Sequence, residues 1–201
     1  MGQEVKKLLA IKAVAHADTG ECPYASRPVV TPKKKTNIRM CVDSRDLNAQ
    51  TEKDLFSHPR IDYVWPLILK ARFYASLYLL MGYHQVEVEQ KDRHKIGFLT
   101  HRGLFFYNVM PFGLCIALAT VLRHMERMLG SMSGTNVLVY LDDVLVYAIT
   151  PEKLLESLQR VLLLLAGAEL KCKPSKCALF TQKVHYLGHV VSNHGINLEP
   201  D

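Results

Sequence analysis

No stretch of the chain stays apolar for long. The longest such runs, 161–167 and 73–82, fall well short of the eighteen or more residues that span a bilayer. No charged-then-apolar leader opens the sequence, and although it begins Met1-Gly2, Lys6 stands where a myristoylation signal takes Ser or Thr. These absences predict a soluble intracellular protein, cytoplasmic or nuclear, with no use for a membrane. Cysteines are few, and no two are spaced C-x-x-C. Cys22, Cys41, Cys115, Cys172 and Cys177 make an odd count, which predicts reduced thiols and excludes a disulfide framework. There is no internal repeat and no low-complexity tract.

Acidic residues are the scarcer charge, 19 against 25 Lys and Arg, leaving a formal +6. The surplus is uneven: Lys33, Lys34, Lys35, Arg39 and Arg45 crowd one segment, as either a solvated basic loop or a surface for a polyanionic partner. A composition of 49% hydrophobic and 22% charged residues over 201 positions excludes disorder as the main state. It suits one globular unit or two associated subdomains.

Four segments carry helical periodicity. Val5, Leu8 and Leu9 predict a short opening helix. Ile61, Val64, Trp65, Ile68 and Leu69 predict a second, with Pro66 in its first turns or breaking it. Leu118, Val121, Leu122, Met125, Met128 and Leu129 form a full stripe, as do Leu154, Leu155, Leu158, Val161, Leu162 and Leu165, between Thr150-Pro151 and Gly167. Runs at 28–31, 39–43, 73–80, 85–89, 104–109, 136–147 and 184–192 read as strands, so the class is α+β.

The segment 137–147 carries the most information. Two β-rich apolar runs flank Asp142-Asp143, which predicts a hairpin with both carboxylates at its tip. The plain alternative is an acidic turn, but Asp-Asp without Gly is poor turn chemistry. Adjacent carboxylates in a basic protein suit oxygen ligation of a hard divalent cation and phosphoryl transfer. A second metal reading, Cys172, Cys177, His185 and His189 in C-x4-C-x7-H-x3-H order, leaves too short a gap for the usual finger helix.

Tyr140-Leu141-Asp142-Asp143 resembles the YLDD motif of reverse transcriptases, and the flanks resemble the Gypsy-type group of long-terminal-repeat retrotransposons. The collinear elements are Ser26-Arg27-Pro28-Val29-Val30, with Arg27 as an extra residue, Lys33-Lys34-Lys35, and Arg39-Met40-Cys41-Val42-Asp43-Ser44-Arg45-Asp46-Leu47-Asn48. Next come Pro59-Arg60-Ile61-Asp62, Gly82-Tyr83-His84-Gln85, Met110-Pro111-Phe112-Gly113-Leu114, Lys176-Cys177 and Tyr186-Leu187-Gly188-His189.

The resemblance implies a fingers-and-palm fold, with an antiparallel palm sheet carrying the YLDD hairpin and backed by helices. Fingers would be 1–52 and 86–115, palm 53–85 and 116–201. Thumb and RNase H regions are expected to be absent, since the sequence ends at Glu199-Pro200-Asp201. By the same resemblance Asp142 and Asp143 are the catalytic, Mg²⁺- or Mn²⁺-binding pair. Lys33, Lys34, Lys35, Arg39, Tyr83 and Phe112 meet the deoxynucleoside triphosphate, and Tyr186, Leu187, Gly188 and His189 meet the primer of an RNA or DNA primer–template.

Several positions depart from the family pattern. Where the family has the first metal-binding aspartate, in the strand before Gly82-Tyr83-His84-Gln85, this chain has Tyr78. A phenol is neutral at pH 7 and offers one weak oxygen. At ~1.36 kcal/mol per tenfold, losing a bridging ligand predicts a rate lower by roughly three or more powers of ten, with weakened metal binding. Ile116, Leu118 and Leu122 replace Asn, Pro and Gln, and the stretch Thr36-Asn37-Ile38 is one residue short. Two expectations stand side by side: an RNA-directed DNA polymerase domain of impaired activity, and a catalytically dead module that binds nucleic acid or a partner or has no selected function.

Overall fold

The computed structural model describes residues 2–18, 20–33, 37–54, 56, 61–193 and 195–198, without the side chains of 32–33, 37–39 and 61–64. In chain order the elements are α1 (Gly2–Ala10), β1 (Val14–His16), β2 (Ala25–Ser26), β3 (Pro28–Lys33), β4 (Asn37–Val42), α2 (Arg45–Gln50), α3 (Ile61–Ile68) and β5 (Phe73–Tyr78). There follow β6 (Gly97–Thr100), β7 (Gly103–Tyr107), α4 (Ala117–Leu129), β8 (Val137–Tyr140), β9 (Asp143–Ala148) and α5 (Pro151–Gly167). The last are β10 (Ala178–Thr181), β11 (Lys183–Tyr186), β12 (His189–Ser192) and β13 (Gly195–Leu198). The chain divides into two compact units, Met1–Leu55 with Tyr83–Leu118, and Phe56–Gly82 with Ala119–Asp201.

The first unit holds a sheet in the order β1-β7-β6-β2 and the hairpin β3–β4. Its core joins Val5 and Leu8 of α1 to Val14, Met40, Val42, Phe98, Phe105 and Tyr107. Arg27 falls in the break between β2 and β3, where its carbonyl accepts from the Asp43 N–H at 2.9 Å. Asn48 ties the first motif block to the loop at 110–114: its Nδ2 donates to the Gly113 carbonyl at 2.7 Å, and its Oδ1 accepts from the Cys115 N–H at 2.8 Å. Gly113, at φ +100°, takes a backbone conformation that side chains disfavour.

The second unit is built on an antiparallel sheet in the order β10-β5-β9-β8, accompanied by the three-stranded β11-β12-β13. One sheet face is wholly apolar: Ala75, Leu77, Val144, Val146 and Val137 are each at most 3% exposed. Leu154, Leu158, Val161 and Leu165 form the buried stripe of α5, with Val121, Leu122, Met125 and Leu129 that of α4. Helix α5 begins where Thr150 caps it, its hydroxyl accepting from the Lys153 N–H at 3.4 Å, with Pro151 in the first turn. The other face carries Tyr74, Leu138, Leu145 and Tyr147 against Ile68, Ala71, Val184, Tyr186 and Val191.

Several expectations are corrected. The run 85–89 is not a strand: Gly82–Gln85 closes a 3₁₀ turn and another spans Gln90–Ile96, leaving a lone bridge from Glu87 to Val109. Helix α3 runs through Pro66 rather than placing it in the first turns, its proline being exposed where a missing N–H costs least. The carboxylates do not share the hairpin tip: the two-residue turn is Leu141-Asp142, and Asp143 already pairs with Tyr140 as the first residue of β9. Leu141 takes φ +55°, which replaces the glycine that tight turns favour. Helix α2 and strands β1, β2, β6, β10 and β13 add to the expected elements, each being too short for periodicity to register.

Candidate active site

In the second unit the site assembles where β5 and β9 run side by side. Tyr78 is the last residue of β5 and pairs with Asp143, and the Leu79 N–H donates to the Asp142 carbonyl at 2.7 Å. Those two backbone links bring Tyr78 and both aspartates together. The Tyr78 hydroxyl lies 3.5 Å from Asp142 Oδ2. The exposed Lys176, in the 3₁₀ turn Pro174–Lys176, holds its ammonium 3.7 Å from the centroid of the Tyr78 ring, a cation–π contact. Cys177 Sγ accepts from the Tyr78 N–H at 3.4 Å, and the Lys173 N–H donates to the Tyr78 carbonyl at 2.8 Å.

Gly82 packs directly against the hairpin turn, since a Cβ there would collide with Asp142 Oδ1. Its place in the Gly82-Tyr83-His84-Gln85 motif is therefore a packing requirement of the aspartate. The sequence displays the motif but carries no signal for that contact, nor for Lys176 lying over Tyr78.

Burial pushes both carboxyls above the usual range. For Asp142 the Tyr78 hydrogen bond and the Lys176 charge pull partly back. For Asp143 the neighbouring Asp142 pushes further up and Lys176 pulls down. The pair is thus short of positive charge. A bridged pair of divalent cations needs a further carboxylate, and a neutral phenol with an ammonium over it supplies none. Among the described residues no three His, Cys, Asp or Glu side chains are grouped to hold a metal ion. The donor set does not fit two bridged cations.

The remaining predicted site residues are distributed as follows. In the first unit Tyr83 and Phe112 meet edge to face, ring centroids 5.1 Å apart, and His84 lies 5.2 Å from Phe112. Lys33 and Arg39 are on β3 and β4, two rungs apart in register; their side chains, with Lys34 and Lys35 altogether, lie outside the described residues, as does Pro59-Arg60. Arg45 is engaged by Asp43 through Nε at 2.9 Å and Nη2 at 2.7 Å, which offsets part of the basic cluster. In the second unit Tyr186 is only 3% exposed and packs in the core. Leu187 and Gly188 form the turn between β11 and β12, and His189 Nδ1 sits 2.9 Å from the Leu187 carbonyl with its ring edge-on to Trp65.

The family model for reverse transcriptases (RNA-dependent DNA polymerases) matches residues 31–191. This chain belongs to that family. It is 34% identical over 183 residues, 89% of its length, to the retrovirus-related Pol polyprotein from transposon 297 of Drosophila melanogaster, and 30% identical over 207 aligned positions to that from transposon gypsy of the same organism. It spans 17% and 20% of those polyproteins. A reverse-transcriptase-like domain of long-terminal-repeat retrotransposon origin is therefore shown. Among solved structures the chain is similar to the foamy viral protease–reverse transcriptase with double-stranded DNA, at TM-score 0.88 and 19% identity, over 98% of this chain and 34% of that one. It is also similar to that enzyme with an RNA/DNA hybrid, at TM-score 0.89 and 18% identity, over 98% of this chain and 26% of that one. Those likenesses establish the reverse-transcriptase fold. No helix among the described residues is long and apolar enough to cross a membrane.

Proposed function

We propose that the chain is the fingers-and-palm part of an RNA-directed DNA polymerase that retains nucleic-acid binding and has lost most of its chemistry. The first unit is read as fingers and the second as palm. The observation that carries the reading is the Tyr78 hydroxyl 3.5 Å from Asp142 Oδ2, a neutral donor at the place where the resemblance calls for a metal-bridging carboxylate. Asp142 and Asp143 remain able to attract one Mg²⁺ or Mn²⁺ weakly, because their charge is under-compensated.

Binding needs less than catalysis. Lysines and arginines that neutralise phosphates release counterions whether or not a metal site works. Lys33, Lys34, Lys35 and Arg39 are assigned to the triphosphate, Tyr83 and Phe112 to the nucleotide, and Leu187, Gly188 and His189 to the primer. Tyr186 is assigned there through its packing beneath them. The foamy viral enzyme in complex with double-stranded DNA and with an RNA/DNA hybrid supports a primer–template as the partner.

Primer extension by the purified chain with Mg²⁺ and with Mn²⁺, alongside primer–template binding across a salt series, tests both halves. The expected result is salt-sensitive binding, weakened by replacing Lys33, Lys34, Lys35 and Arg39 with Ala, with extension at or near background. Full extension by the unmodified chain overturns the reading of Tyr78. Absence of binding at low salt overturns the binding role and favours a domain without selected function.

A further inference from the structure

Cys172 and Cys177, spaced C-x4-C, converge on the end of β5. Cys172 forms an antiparallel bridge with Leu79, where the Lys173 N–H donates to the Tyr78 carbonyl and the Leu80 N–H to the Lys171 carbonyl, each at 2.8 Å. Ala178, directly after Cys177, pairs with Ser76 on the same strand. The chain at 173–177 therefore leaves the β5 edge at Leu79 and is back on it by Ser76, which sets the two cysteines side by side. The Cys172 thiol is hydrogen-bonded to Cys177. Both thiols are free and partly exposed, so a small reagent can reach them. The other three cysteines, Cys22, Cys41 and Cys115, belong to the first unit.

The surroundings of Cys177 suit it to react first. Its Sγ accepts from the Tyr78 N–H at 3.4 Å, a donor already aimed at the sulfur that must carry negative charge when it attacks. Burial, and after it the neighbouring Cys177, push the Cys172 thiol up, which suits Cys172 to the later, resolving step. Little is stranded when the thiol protons leave. The Cys177 S–H donates to the Lys173 carbonyl at 3.2 Å, and that carbonyl also accepts from the Lys176 N–H at 2.9 Å.

We propose that Cys172 and Cys177 are a reversible oxidation site, closed to an intramolecular disulfide by a low-molecular-weight disulfide such as oxidised glutathione, and that the bond locks the turn holding Lys176 over Tyr78. The Cys177 thiolate attacks one sulfur of the oxidant, forming a mixed disulfide and expelling one small thiolate. Cys172 then attacks the Cys177 sulfur, and the second small thiolate leaves. Two electrons pass from the cysteine pair to the oxidant, and the two cysteine protons end on the two small thiols. The closed ring contains the 3₁₀ turn Pro174–Lys176, whose Lys176 and Cys177 N–H groups donate to the carbonyls of Lys173 and Pro174. Opening that turn then requires the ring to distort.

The whole chain is equilibrated in glutathione buffers of rising oxidised fraction, quenched in acid, alkylated with N-ethylmaleimide and digested with trypsin. Cleavage after Lys171, Lys176 and Lys183, with Lys173 protected by Pro174, yields peptides 172–176 and 177–183. Oxidation should join these two peptides in a chain that stays monomeric, and dithiothreitol should release them. The ratio of linked to free peptides should change tenfold for each tenfold change in oxidised glutathione at fixed reduced glutathione. Cys172→Ser should instead accumulate a glutathione adduct on Cys177. In the oxidised parent, hydrogen exchange at the Lys176 and Cys177 amides, followed by NMR, should slow about tenfold. Glutathione adducts without linked peptides, or linkage only between two chains, would overturn the oxidation site. Equal exchange at those two amides in the oxidised and reduced parent would overturn the lock.

Discussion

The Tyr78 hydroxyl stands 3.5 Å from Asp142 Oδ2, while the Tyr78 backbone pairs with Asp143 and its ring lies beneath the Lys176 ammonium. A single residue thus touches both halves of the carboxylate pair without adding charge to either. Tyr78→Asp should convert this arrangement into a three-carboxylate cradle. The variant is expected to gain thermal stabilisation that rises with Mg²⁺ or Mn²⁺ concentration, where the parent responds little. Extension should return only in part, because Ile116, Leu118 and Leu122 remain and errors of about an ångström in orientation cost roughly a hundredfold. A folded Tyr78→Asp chain whose melting ignores divalent cations would mean that Tyr78 does not occupy a ligand position.

Gly82 is expected to be as sensitive as the aspartate it faces. A methyl group there collides with Asp142 Oδ1, so the carboxylate must swing aside and its contact with the Tyr78 hydroxyl changes. Gly82→Ala should lower stability by about 1 kcal/mol, the low end of the range for overpacking, because the group that gives way is the end of a side chain. In an Asp142→Ala background the obstructing oxygen is absent and the cost should largely disappear. Urea denaturation of the four chains measures the coupling, and additive effects would rule out the contact as the cause.

Much of this molecule is legible in the sequence, and where legibility stops has physical reasons. Helix α5 starts at Pro151 and ends at Gly167 as its cap and stripe predict, because the signals for start, face and stop all agree there. The carboxylate pair and its tyrosine neighbour follow from motif register, which the β5–β9 pairing realises residue by residue. The segment 85–89 misleads because Val86 and Val88 alternate with polar residues as a strand would, while turns on either side hold it to one bridge. Strand β2 is two residues long and parallel to β6, so no local period marks it. The Asn48 clamp on Gly113 and Cys115, and the Lys176 contact with Tyr78, join residues 65 or more apart in sequence. Such contacts leave no trace in composition or spacing.

Tyr74 gives a test of how the second unit closes the end of α3. Its buried hydroxyl lies 2.9 Å from the Ala71 carbonyl and 3.1 Å from that of Ile68, which also accepts from the Ala71 N–H at 3.0 Å. Tyr74→Phe keeps the ring and removes both contacts. The expected loss is about 1 kcal/mol, the ordinary contribution of one hydrogen bond, since the Ile68 carbonyl keeps the Ala71 N–H. Equilibrium unfolding followed by Trp65 fluorescence would register it, and a loss below a few tenths would show that the Ala71 carbonyl finds another partner.

Protonation of His84 should set the acid limit of the first unit. Burial lowers its pKa, its Nδ1 is buried without a hydrogen-bond partner among the described residues, and its ring lies 5.2 Å from Phe112 and 6.1 Å from Tyr107. A histidine whose folded pKa is depressed binds its proton more readily when unfolded, so stability is full above the unfolded value of about 6.5 and declines as pH falls through it toward the folded pKa. The raised carboxyls of Asp142 and Asp143 act in the opposite sense, gaining stability as pH falls from their folded pKa values toward about 3.8. Melting temperature should therefore drop first as pH is taken from 8 to 5. His84→Phe, which keeps an aromatic ring beside Tyr107 and Phe112, should flatten that drop. An unchanged slope in the folded variant would assign the acid sensitivity to another group.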